Sequence, residues 1–163
     1  MQAQRFTRLS GMALAVMLTL LVGSVRADDS KLEGTWDVML KFPDSSCNNA
    51  CNCPGNTPNI PIPTLHTFLK HGGMLWSATT FLVGPGQGAW QRLGHNHFMA
   101  RFKFYIFDLT TGFSTGNEEV TQDIHLTGRD TYTGTMTYDL FDAAGNMIAQ
   151  GCRVNIDTAT RFE

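Results

Sequence analysis

Four absences narrow what this 163-residue chain can be. No segment after Ala27 keeps apolar residues at i, i+3, i+4 and i+7 long enough for a core helix, so a helical or α/β architecture has nothing to build from. No cluster of Lys or Arg occurs. After Ala27 nine basic residues face fourteen acidic ones, a net charge of about −5 with His neutral. That balance lacks the electrostatic footprint of a nucleic-acid binder and the polybasic face that holds anionic membranes. No Gly-x-Ser-x-Gly or His-Glu-x-x-His is present, and Ser45, Ser46, Ser77 and Ser114 stand in no recognisable relation to a histidine. The apolar run Gly11 to Val22 is short for a membrane span, so no stable membrane anchor is expected.

That run has a different reading. Arg5 and Arg8 precede it, and Val25-Arg26-Ala27 places small residues where a signal peptidase reads them, the form of a secretory signal peptide. Cleavage after Ala27 leaves residues 28–163, enough for one domain with its own core, exported to a periplasmic or extracellular space. Cys47, Cys51, Cys53 and Cys152 all fall in that mature part, and an even count in an exported chain favours disulfides. Four cysteines allow three pairings. Direct Cys51–Cys53 pairing makes a very tight loop, so one of those two is expected to join Cys152, a large ring worth roughly 3–5 kcal/mol. The rival, a metal knuckle on Cys47-x3-Cys51-x-Cys53, matches no standard zinc spacing.

The strongest pattern is His97 to Asp108. Alternate residues Phe98, Ala100, Phe102, Phe104 and Ile106 are apolar, while His97, Met99, Arg101, Lys103, Tyr105 and Phe107 mix charge with amphipathic rings. A period of two sends these sets to opposite faces of a strand, and so long a one-sided strand suits a curved sheet or barrel. Seven further strands are expected: Gly34 to Phe42, Thr64 to His71, Met74 to Val83, Gln87 to Leu93, Glu118 to Thr127, Thr131 to Asp142, and Met147 to Ile156 or beyond. In the last, Ile148, Cys152, Val154 and Ile156 share a face; in the sixth, Val120, Ile124 and Leu126 do, together with Glu118 and Gln122. Residues 43–63 carry the cysteine cluster and five of the six prolines, an irregular loop. Eight strands with Gly-, Asp- and Asn-containing turns predict an all-β, eight-stranded antiparallel up-and-down barrel, with a two-sheet sandwich as the alternative.

Gly34-x-Trp36 on the first strand and Arg161 after the last resemble the calycin arrangement of lipocalins and fatty-acid-binding proteins. There a Gly-x-Trp opens the barrel and a late Arg lies over the indole. The resemblance implies structural roles for Gly34, Trp36 and Arg161. Gly88-Ala89-Trp90 and Thr158-Ala159-Thr160-Arg161-Phe162 also resemble a group of small exported bacterial proteins of uncharacterised function.

Candidate sites follow from the interior. Trp76, Trp90, Phe98, Phe102, Phe104, Tyr132 and Tyr138 either line a ligand cavity or fill the core. Each buried Phe contributes roughly 2–3 kcal/mol, so the rings need no ligand to explain them. Glu118 is the best candidate for an interior acid, whereas Glu119 must point the other way. His95 and His97, with His66, His71 or His125, could hold a metal only if the strands bring them together; turn or surface positions are the expectation, and no metal or other cofactor is called for. The leading reading is a non-enzymatic barrel for a small apolar or amphipathic molecule. The alternatives are a barrel enzyme of isomerase or cyclase type using Glu118 or a histidine, and a structural or interaction domain with a filled core.

Overall fold

The computed structural model describes residues 31–41, 61–80 and 82–162. They form eight strands: β1 (Gly34–Lys41), β2 (Ile62–Phe68), β3 (Gly73–Ala78), β4 (Gly86–Arg92), β5 (His97–Phe107), β6 (Ser114–Leu126), β7 (Thr131–Asp142) and β8 (Met147–Arg161), with one 3-10 turn at Lys70–Gly72. Each strand pairs antiparallel with the next in sequence, and β8 returns to pair with β1, so the sheet closes into an up-and-down barrel. Closure removes the free edges and rules out the sandwich. The signal-like segment, Cys47, Cys51, Cys53 and most of the 43–63 loop lie outside the described residues, so the expected disulfide and its pairing do too. Cys152 is buried in the barrel wall, and no cysteine is free among the described residues.

Alternation decides what faces inward. On β5, Phe98, Ala100, Phe102 and Phe104 are all buried, while Arg101, Lys103 and Tyr105 face out. On β6, Gln122, Ile124 and Leu126 continue the buried row with Val120, and Lys103 meets Glu119 at 3.1 Å on the outer face. On β7 the buried set is Tyr132, Met136, Tyr138 and Leu140.

Three expectations are corrected. Ile148 does not share the inner face of β8: it is exposed, and Ala149 is buried in its place. Register shifts between Tyr138 and Leu140 and between Leu140 and Phe141, and Gly151 sits at φ 68°, its N–H donating to Asp139 Oδ1 at 2.9 Å. A bulge of this kind adds one residue to a strand and reverses the alternation on one side of it. The second strand stops at Phe68 rather than His71, because His71 lies in the turn with φ 70°. The third stops at Ala78.

The two chain ends lock together at one end of the barrel. Trp36 is fully buried and donates its indole N–H to the Leu32 carbonyl at 2.9 Å. The Arg161 guanidinium lies 4.3 Å from the Trp36 ring centroid and donates to Asp130 Oδ1 and to the carbonyls of Lys31 and Glu33. Gly34 is required twice over: its φ is 120°, and a Cβ there would lie 2.7 Å from Arg161 Nη1. The fork of donors and the flat face are properties of guanidinium that an ammonium does not reproduce. Arg161→Lys is therefore expected to lower stability by about 1–2 kcal/mol in urea unfolding with the fold retained, and an unchanged midpoint would remove the lock from this account.

Candidate functional site

The closed end of the barrel is packed with rings. Trp36 meets Tyr132 edge-on at 5.0 Å, Phe68 lies 6.1 Å from Trp90 and 6.3 Å from Tyr132, and Trp90 lies 5.9 Å from Phe98. The Trp90 indole donates to the Leu69 carbonyl at 2.9 Å. Trp90, Phe98 and Tyr132 thus fill core here and do not border the cavity described below.

Above them runs a buried polar layer that sequence reading missed. His66 is fully buried between the rings of Phe68 and Phe102, where a surface or turn position was expected. Its Nδ1 lies 3.1 Å from the Tyr132 hydroxyl and its Nε2 lies 3.1 Å from Thr64 Oγ1, which donates to the Val38 carbonyl at 3.3 Å. Gln122 Nε2 donates to the same tyrosine oxygen at 3.5 Å. These contacts fit one direction of donation: Gln122 to Tyr132, Tyr132 to His66 Nδ1, His66 Nε2–H to Thr64, and Thr64 to Val38. The imidazole is then neutral, and burial pushes its pKa down to about 3. Burial likewise raises the Tyr132 hydroxyl. The chain is a fixed partition rather than a proton relay to solvent. Alternation hid it, because β2 places Thr64 and His66 inside and leaves Leu65 40% exposed, the reverse of a hydropathy reading.

The other end holds a cavity of about 550 Å³. Its wall includes Leu40, Ile62, Trp76, Val83, Phe104, Ile106, Val120, Met136, Leu140 and Val154, with Glu118 and Tyr138 as its ionisable groups. Trp76 stacks on Phe104 at 4.3 Å and 15°, and Phe102 backs the pair, 5.8 Å from Trp76. Of the seven rings picked out in the sequence, Trp76, Phe104 and Tyr138 line the cavity. Glu118 is placed opposite Phe104 on β5 and Leu140 on β7, on the inward face. Burial raises its carboxyl to about 7, and the tyrosine hydroxyl of Tyr138 is raised by burial and by the Glu118 charge. Trp76 Nε1 is buried with no hydrogen-bond partner among the described residues. An unpaired buried donor of this kind costs about 1–3 kcal/mol.

A second hollow of about 710 Å³ at the closed end is bordered by Lys31, His95, Asn96, Arg129, Asp130 and Arg161. Its central cation is the Arg161 guanidinium already engaged with Trp36, Asp130 and two carbonyls, so it belongs to the lock. The remaining histidines divide by strand: His71 and His95 are exposed in turns, and His97 and His125 lie on the outer face of β5 and β6.

No protein-family model and no curated protein matches the sequence. Among solved structures, the chain is similar to Treponema pallidum Tp0751 (Pallilysin), at 11% identity over 84% of this chain and 85% of that one, with a TM-score of 0.41. No helix among the described residues is long and apolar enough to cross a membrane.

The two shifted groups make opposite demands on pH. The Glu118 carboxyl ionises near 4.5 when unfolded and near 7 when folded, so stability falls as pH rises from about 4.5 to 7, by roughly 3 kcal/mol in all. Glu118→Gln is expected to be more stable than the parent by that amount at pH 8 and equal to it at pH 4. His66 takes up a proton near 6.5 when unfolded and only near 3 when folded, so stability falls as pH drops through that window. His66→Gln should flatten this acid limb relative to its own value at pH 7. Chemical denaturation at pH 4, 6 and 8 reads both effects.

Proposed function

We propose that the protein is an exported, non-enzymatic barrel that holds one small, mainly apolar molecule bearing a polar end. The observation that carries this reading is the composition of the cavity wall: an apolar lining interrupted by the ionisable side chains of Glu118 and Tyr138. Its volume falls within the range of small-molecule sites, and such sites combine apolar walls with a few placed polar groups. A carboxyl raised to about 7 is partly protonated at neutral pH, so it can donate to a ligand oxygen or, ionised, accept from an amine. The filled-core alternative accounts for the closed end and leaves the open end unexplained. The Trp36–Arg161 stack with Gly34 supports a calycin-like barrel, and the Arg5–Ala27 segment supports export by a signal peptide.

A barrel enzyme is the second reading, favoured by the same Glu118. A carboxyl with a pKa near 7 is matched to proton transfer at neutral pH, and Tyr138, whose hydroxyl feels the Glu118 charge, is a candidate partner. Binding and catalysis separate in one respect: a binder returns its ligand unchanged.

Native mass spectrometry of the protein taken directly from its source is expected to show a single small molecule bound per chain. Met136→Trp, which fills the cavity from β7, should abolish that adduct with the circular dichroism spectrum preserved. Release of a molecule chemically altered relative to the one supplied favours the enzyme. An adduct unaffected by Met136→Trp places the ligand elsewhere and overturns the cavity reading.

A further inference from the structure

We propose that His97, His125 and Asp123 form a binding site for one divalent transition-metal ion of the zinc–copper class on the outer wall of the barrel. The placement follows from register. His97 on β5 and His125 on β6 are direct cross-strand partners, and Asp123 precedes His125 by two residues on the same face. Both histidines therefore project from the outer wall behind Phe98 and Ile124, on the far side of the wall from the packed core.

The donor atoms converge. His97 Nε2 lies 2.9 Å from Asp123 Oδ2, and His125 Nε2 lies 2.6 Å from Asp123 Oδ1. One ligand atom from each residue falls within 4.8 Å of the other two. The two imidazole rings are nearly parallel, 4.3 Å between centroids and 12° between planes, so both turn the same nitrogen toward one carboxylate. A tetrahedral ion about 2.0–2.1 Å from nitrogen and oxygen donors sets those donors about 3.3 Å apart, a spacing reached here by small side-chain rotations. Among the described residues this is the group of three or more metal-ligating side chains whose atoms meet.

The donor types select the ion. Two imidazoles and one carboxylate suit zinc or copper, whereas calcium and magnesium require oxygen-rich sets. Three protein donors leave a coordination position for water, and the residues are partly exposed, which gives the ion a route in. As a plain surface ion pair the cluster would contribute little, since exposed pairs are worth about 0–1 kcal/mol. Sequence reading found no metal motif because the ligands come from two strands, with no linear spacing to mark them. A bound ion would clip β5 to β6 at the closed end and stabilise the fold by mass action.

The test uses the mature protein without a polyhistidine tag and with its cysteines left oxidised, titrated calorimetrically with zinc chloride and, separately, copper(II) chloride. One equivalent of each is expected, with copper bound more tightly. His97→Ala, His125→Ala and Asp123→Asn should each weaken binding by at least about tenfold, while His95→Ala leaves it unchanged. Added zinc should raise the melting temperature of the parent and not that of His125→Ala. Should an alanine variant fold poorly, His97→Gln and His125→Gln give the same reading. Electron paramagnetic resonance of the copper form should show coupling to two imidazole nitrogens. No binding of either ion by the parent, binding that survives loss of either histidine, or coupling to fewer than two nitrogens would overturn the proposal.

Discussion

An eight-stranded barrel has an interior of nearly fixed width, and the side chains assigned to each layer decide what that interior can do. Here the strands spend their largest rings at one end. Trp36, Tyr132, Phe68, Trp90 and Phe98 close the lower half by edge-to-face and tilted ring contacts, and Arg161 seals the indole from outside. The same width at the other end is bordered by Leu, Ile, Val and Met with one stacked pair of rings, and a cavity remains. The asymmetry of the interior is therefore a matter of where bulk is placed along the strands.

The boundary between the two halves is polar, which is unusual enough to need a reason. His66, Tyr132, Gln122 and Thr64 are all buried, and their hydrogen bonds run in a single consistent direction. Such a layer costs desolvation but fixes side-chain orientation, because a slipped register would leave several buried groups unpaired at once. It accepts no proton until strongly acid pH, while Glu118 above it holds its proton to near neutrality. Burial moves the two pKa values in opposite directions but favours the neutral form of both groups, and both stay neutral over part of the acid range. The interior is a low-dielectric space from end to end, and a ligand entering it meets walls that disfavour charge.

Much of the fold was legible because β5, β6 and β7 bury one face and solvate the other, so Phe98 to Phe104, Val120 to Leu126 and Tyr132 to Leu140 announce their direction. The ends of the chain carried a second signal in Gly34, Trp36 and Arg161. Legibility failed where the alternation was locally reversed. On β2 a histidine and a threonine face inward beside the exposed Leu65, and on β8 a bulge at Gly151 turns Ile148 outward. Neither event leaves a mark in hydropathy, since each depends on a partner strand. For the same reason the rings could be named from sequence but not divided between filler and lining: Trp90 and Trp76 look alike until register sends one to each end.

The central claim is that the space between Trp76, Glu118 and Tyr138 is a ligand site and not a packing defect. A crystal structure of the protein purified from its source, without added ligand, tests this directly. The account predicts continuous density in the cavity for one elongated apolar molecule, its polar end within hydrogen-bonding distance of Glu118 or Tyr138. A cavity closed by rearranged side chains, or holding only ordered water, would contradict it.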